Sequence, residues 1–178
     1  MSLPKISVPF PNTYWVLPHQ FLAGEHPAEL SEDITIARLT ALLDASVRTF
    51  VNLTETRERM PDYSQPLRTL ASARQVEIKY LRMPIPDRSV PSAETLRSIL
   101  DALDDSLANR QPVFVHCFAG VGRTGTVVGC YLRRHGKATE QDVIARIAEL
   151  RSLMPGGNEA SPHTPEQIQL VKSWKAAS

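Results

Sequence analysis

The chain has 178 residues, 42% of them hydrophobic and 22% charged, with a formal net charge of +1. That length suits one domain, residues 1–178, built on one sizeable core, and the composition is that of a soluble globular protein. So small a net charge sets up no field that would gather nucleic acid or a membrane surface, so neither is expected as a partner and any anion site must be local.

Two cysteines, Cys117 and Cys130, are too few to staple a fold of this size, which points to a reducing, cytoplasmic setting. Pro4, Lys5 and Pro9 interrupt any apolar stretch of a signal peptide, and no run of ~18 apolar residues occurs. No repeat or linker suggests an internal boundary.

In chain order, residues 14–17 and 20–23 read as two short strands joined around Pro18 in a hairpin. Ser31 caps a helix running to about residue 45, with Ile34, Ala37, Ala41 and Leu42 inward. Residues 49–53 form a compact β-type run, 63–74 a helix with Leu67, Leu70 and Ala71 on one face, and 77–83 another strand. Ser92 opens a helix carrying Leu96, Ile99, Leu100, Leu103 and Leu107. Residues 112–116, PVFVH, are short, continuous and apolar, as a strand buried on both faces reads. A glycine-rich turn over 120–125 leads into a helix over 126–134, ended by Gly136. Thr139 starts another helix with Val143, Ile144, Ile147 and Leu150 inward. Residues 154–163 form a loop, and the last helix spans 165 to about 175. Strands alternating with helices after residue 31 predict an α/β layer fold, with a central, mostly parallel sheet flanked by helices.

The stretch that carries chemistry is His116-Cys117-Phe118-Ala119-Gly120-Val121-Gly122-Arg123-Thr124-Gly125. A tight turn between a buried strand and a helix aims successive N–H groups of Phe118, Ala119, Gly120, Val121, Gly122 and Arg123 into one concavity, and the helix N-terminus adds partial positive charge. A phosphate dianion fits such a nest. Arg123, six positions after the cysteine, can return over the same site and grip two phosphate oxygens with its planar fork. Helix N-termini and neighbouring cations lower a thiol's pKa from ~8.5 to roughly 3.5–7.5, which favours the Cys117 thiolate as an in-line nucleophile giving a phosphocysteine. The Thr124 hydroxyl is placed to stabilise that thiolate as it leaves. A lone cysteine after a strand is usually a small core residue; Cys, glycines, Arg and Thr at these offsets together reverse that reading. Gly120 to Gly125 also satisfies G-x-G-x-x-G, but a dinucleotide site needs a following strand with an acidic residue, and a helical pattern follows here instead.

HCFAGVGRTG matches every fixed position of HCxxGxxR[ST]G, the signature loop of the protein tyrosine phosphatase superfamily, and the chain resembles its compact dual-specificity-like members over residues 12–175. The low-molecular-weight phosphatases and arsenate reductases differ in carrying their cysteine loop near the N-terminus. The resemblance implies a phosphoprotein phosphatase acting on phosphotyrosine, with phosphoserine or phosphothreonine left open. The four histidines other than His116 show no ligand spacing, so no metal is expected, and no cofactor. The resemblance also implies that Asp87, thirty positions before Cys117 in the proline-rich loop 83–91, is the general acid, where a bland reading makes it a turn residue after Pro86. It implies that His116 tunes the loop.

Gln167 has two readings: the resemblance suggests it positions the hydrolytic water, whereas Thr164, Pro165 and Gln167 by themselves spell a helix capping box. Glu55 and Glu58 are candidates to orient Arg123, although solvated loop charges are the commoner case. Cys130 reads as a core residue, with a resolving thiol as the alternative. The competing functions are a phosphoinositide or inositol phosphate phosphatase, disfavoured by the absence of Lys from the loop, and an inactive phosphoprotein-binding module, which normally loses the Cys, the Arg or the acid. An RNA triphosphatase and a rhodanese-like sulfurtransferase fit less well. Nothing in the sequence bears on oligomeric state.

Overall fold

Alternation along the strands decides the layers. Phe21, Ala23, Val51, Val113 and Val115 are buried on one face of the sheet, and Leu22, Phe50 and Phe114 on the other, as a period of two requires. The computed structural model describes residues 6–175, so the reading placed on Pro4 and Lys5 lies outside the described residues. Its strands are β1 (Thr13–Leu17), β2 (Phe21–Gly24), β3 (Thr49–Asn52), β4 (Lys79–Arg82) and β5 (Val113–His116). The sheet order is β1-β2-β5-β3-β4, parallel except for the β1–β2 hairpin. The α/β architecture and the central place of PVFVH are as the sequence predicts.

Among the described residues six helices cover the two faces: α1 (Glu32–Asp44), α2 (Ser64–Ala73), α3 (Ala93–Ala108), α4 (Gly122–Arg134), α5 (Val143–Arg151) and α6 (Pro165–Ser173). Side chains of α1 and α2 pack on the Phe50/Phe114 face, and those of α3 to α6 on the valine face. Among the described residues no helix is long and apolar enough to cross a membrane.

Three local readings need correction. In α1 the buried residues are Thr35, Leu39, Leu42 and Leu43; Ala37 is exposed and Ile34 is 47% exposed. The helix is rolled to bury its three leucines, and Thr35 goes inward at little cost because its hydroxyl is fully bonded. It accepts from Glu29 N (2.9 Å) and lies within 3.1–3.2 Å of the Ser31 and Glu29 carbonyls. Helix α4 starts at Gly122, inside the glycine turn, because only Gly120 there has a left-handed backbone (φ +71°). Helix α5 starts at Val143, since Thr139 and Asp142 cap one another in a separate turn: Thr139 N donates to Asp142 Oδ1 (2.6 Å) and Asp142 N to Thr139 Oγ1 (3.3 Å).

Candidate active site

The parallel strands end on one edge, and their C-terminal ends deliver the site residues, as open α/β sheets generally do. His116 is level with Gly24 of β2 and Asn52 of β3. Cys117 follows β5, the segment with Glu58 follows β3, and the loop with Asp87 follows β4. They meet at a cavity of about 390 Å³ lined by Cys117, Phe118, Arg123, Glu58, Arg59, Asp87 and Arg88, with Glu159 and His163 opposite. Cys117 is only 3% exposed.

What makes the loop a nest is that its carbonyls are held outward. Phe118 O accepts from His26 N (2.9 Å), Gly120 O from Arg151 Nη1 (2.8 Å), and Val121 O from Ser161 Oγ (2.7 Å). Among the described residues no amide from Phe118 to Val121 is tied to a backbone carbonyl, and the first α4 hydrogen bond is Gly125 N to Val121 O (3.2 Å). Val121, at the N-cap, contributes no side-chain cap. The amides are therefore left for an anion. Gly120 cannot be larger: besides its φ of +71°, a Cβ there would sit 2.6 Å from Gly24 O and 2.7 Å from Glu25 N.

Arg123 is buried, 1% exposed. Its Nη1 donates to Glu58 Oε1 (2.6 Å) and Ile85 O (3.1 Å), its Nη2 donates to Glu58 Oε2 (2.9 Å), and Nη2 lies 3.2 Å from Asp87 Oδ1. The bidentate partner is Glu58. Glu55 is not the brace: its carboxylate pairs with exposed Arg57 (3.0 Å), while its amide donates to Glu58 Oε1 (2.7 Å). The turn 55–58 presents the later glutamate inward, which spacing alone could not decide. Burial pushes the Glu58 carboxyl up, but hydrogen bonds from Arg123 and the Glu55 amide outweigh it and hold the carboxyl below its usual range. The Thr124 hydroxyl is buried and directed at Gly24 O (3.4 Å), a long bond, and not at Cys117.

His116 sits in a dry pocket, where burial, with His26 beside it, pushes its pKa well below the usual value. A carbonyl can only accept, so Nδ1–H donates to Cys117 O (3.1 Å) and Nε2 accepts from the Tyr63 hydroxyl (2.6 Å). Burial likewise keeps the Tyr63 phenol protonated, which fixes the histidine tautomer. The His26 ring packs edge-on at 4.9 Å from the His116 centroid, and burial lowers its pKa to about 4. Cys130 is fully buried in α4 with its thiol pushed up by burial, the state of an inert core cysteine.

Gln167 is fully buried and completes the α6 capping box. Its Oε1 accepts from His163 N and Thr164 N (3.1 Å each), and its Nε2 donates to Ser89 O (3.1 Å). Sequence reasoning missed Tyr63, His26, Arg151 and Ser161. Each acts through a contact distant in sequence, on a backbone atom or a ring, and such contacts leave no motif.

A family model described as "Polymorphic toxin system, DSP-PTPase phosphatase" matches residues 28–137. Among curated relatives, the mouse dual specificity protein phosphatase CDC14A is 29% identical over 140 residues, 75% of this chain but only 21% of its own length. The solved structure of Tk-PTP in the active form superposes with a TM-score of 0.74 at 20% identity, covering 93% of this chain and 97% of that one. PTPMT1 in complex with PI(5)P gives 0.68 at 23% identity, covering 92% and 94%. At such identities the structural likeness speaks for the fold, while the family model spans well over half the sequence: the chain belongs to the DSP-PTPase phosphatase family and is, by family, a compact dual-specificity-type cysteine phosphatase.

Proposed function

We propose that this chain hydrolyses phosphotyrosine in phosphoproteins through a phosphocysteine intermediate, and that residues 12–175 act as one catalytic unit in a reducing, cytoplasmic setting. The observation that carries the reading is the loop itself. Cys117 and Arg123, both buried, line one cavity with the exposed Asp87, and the amides of 118–121 have no backbone acceptor among the described residues.

In the first step the amides of 118–123 and the Arg123 fork hold three phosphate oxygens, and the Cys117 thiolate attacks phosphorus opposite the leaving oxygen. Asp87 gives that oxygen its proton. In the second step Asp87 takes a proton from water, which attacks the phosphocysteine. The Thr124 hydroxyl turns from its long bond to Gly24 O toward the departing sulfur. Phe118, 55% exposed at the cavity mouth, offers an aromatic wall for a tyrosine ring.

A phosphoinositide is the second reading, because Arg59 and Arg88 line the same cavity and supply charge for further phosphates, a role the loop's lack of Lys does not exclude. The PTPMT1 structure with PI(5)P is an example of the fold holding such a lipid. The test compares kcat/KM on phosphotyrosine peptides, phosphothreonine peptides and short-chain phosphoinositides, with Cys117→Ser as the blank. Phosphotyrosine peptide is expected to lead, and Cys117→Ser to lose turnover on all three. A phosphoinositide lead replaces the first reading with the second, and turnover surviving in Cys117→Ser removes the cysteine mechanism.

A further inference from the structure

Capping chemistry explains only half of the Gln167 side chain. Its Oε1 is used by the amides of His163 and Thr164, which is the capping box. A glutamate does that equally well. The carboxamide nitrogen points elsewhere, across 78 residues of sequence, to the Ser89 carbonyl (3.1 Å). The same side chain lies against the phosphate loop: a Cβ on Gly122 would be 3.1 Å from its Oε1 and 3.3 Å from its Nε2. Gln167 is thus wedged, fully buried, between the cysteine loop and the loop that carries Asp87.

The Asp87 loop needs such support. Ser89 N and Oγ both donate to Pro86 O (3.1 and 2.7 Å), making a tight turn with Asp87 near its tip. The turn forces Arg88 to φ +58°, a backbone state disfavoured for any residue with a Cβ and kept only where surroundings enforce it. Asp87 and Arg88 are exposed and Ser89 is half-buried, so little packing holds the tip of the turn. Its named tethers are the Asp87–Arg123 ion pair (3.2 Å) and the bond from Gln167.

We infer that Gln167 is a positioning residue whose Nε2–H latches the Asp87 loop closed over the cysteine loop, so that the helix-α6 cap and the proton donor are set by one side chain. The inference rests on the phosphatase reading of the site. It differs from holding the attacking water, which would act on the second chemical step; the latch acts on the first, when the leaving oxygen takes its proton.

Gln167→Glu separates the roles, because ionised glutamate keeps both acceptor oxygens for the cap and has no N–H for Ser89 O. The assay is kcat/KM on phenyl phosphate, whose leaving group needs a proton, and on p-nitrophenyl phosphate, whose leaving group needs it far less. Any effect of the added charge on phosphate binding is common to both esters and cancels in the ratio. One lost hydrogen bond should lower phenyl phosphate turnover by about 3- to 10-fold and p-nitrophenyl phosphate turnover by less than about 2-fold. Amide exchange at Ser89 should quicken by a similar factor. Equal losses on both esters would make Gln167 a structural cap only. Unchanged kcat/KM with lower kcat and a burst of p-nitrophenol would assign it to the water instead; either result overturns the latch. Should the wild-type chain turn over neither ester, the phosphatase reading fails, and Ser89 exchange alone decides the latch: unchanged exchange in Gln167→Glu overturns it.

Discussion

Replacing Glu58 by alanine strips Arg123 of its two shortest bonds, 2.6 and 2.9 Å, and leaves it with Ile85 O at 3.1 Å and Asp87 at 3.2 Å. Nε already has no acceptor among the described residues. Breaking a fully buried ion pair from one side costs roughly 3–5 kcal/mol. Here the Glu58 side chain keeps 17% exposure and the guanidinium faces a cavity that admits water, so we predict a loss of about 2–3 kcal/mol in unfolding free energy at pH 7. Glu58→Gln, which keeps one acceptor, should lose about 1 kcal/mol.

The freed guanidinium has one carboxylate left within reach, Asp87. It should therefore leave the phosphate position and engage the group proposed as proton donor. Losing one charge-assisted bond to phosphate, about 2 kcal/mol, corresponds to a fall in kcat/KM of about 30-fold on p-nitrophenyl phosphate. The Glu58 carboxyl is held below its usual range when folded, so its contribution to stability is present above the unfolded pKa and fades as pH falls through the folded one. The difference between wild type and Glu58→Ala should accordingly shrink in acid. Urea unfolding at several pH values and steady-state kinetics measure both quantities. An Ala variant within about 0.5 kcal/mol and about 3-fold of wild type would refute the brace.

Other perturbations probe the remaining parts. His26 is pushed down to about 4 and His116 also downward, so the unfolded chain takes up protons that the folded one refuses. Stability should be full above about pH 6.5 and decline toward pH 4, by up to about 3 kcal/mol for His26 alone, in urea titrations across that range. A flat profile would place these rings in contact with water. Gly120→Ala should displace the loop, because its Cβ would meet Gly24 and its φ would be strained, and should lower kcat/KM by at least about 100-fold; near-wild-type activity would contradict the close approach. Asp87→Asn should slow phosphotyrosine peptide turnover by about 10²–10⁴-fold, with KM little changed and a smaller loss on p-nitrophenyl phosphate. A uniform loss on both substrates would leave Asp87 a turn residue.

The signature loop and the parallel sheet were legible because each rests on local information: fixed offsets between Cys117, the glycines and Arg123, and a four-residue apolar strand. The place of Asp87 at the cavity was legible through its distance from the cysteine and the proline-rich loop around it. Choosing between Glu55 and Glu58 was beyond the sequence, since both lie in the same turn and the answer depends on which carboxylate faces a guanidinium 65 residues away. The roll of α1 was misread because burying Leu39, Leu42 and Leu43 with a bonded Thr35 competes with a pattern led by Ile34, and periodicity does not price a satisfied hydroxyl. Arg151 reads as a polar residue at the end of an amphipathic helix; only the folded chain reveals that it ends on Gly120 O.

The outward-held carbonyls carry a consequence for how the chain becomes competent during synthesis. The family match ends at residue 137, with the signature loop already complete, yet Arg151 and Ser161, which pull Gly120 O and Val121 O aside, and Gln167 are made later. A chain made only as far as residue 137 holds the cysteine and every motif residue, but Gly120 O lacks its Arg151 donor and Val121 O keeps only its bond from Gly125 N. Cys117 and the loop around it therefore exist before the partners that set the loop's carbonyls, and a nascent or truncated chain should hold the loop in a slack turn until α5, the following loop and α6 dock.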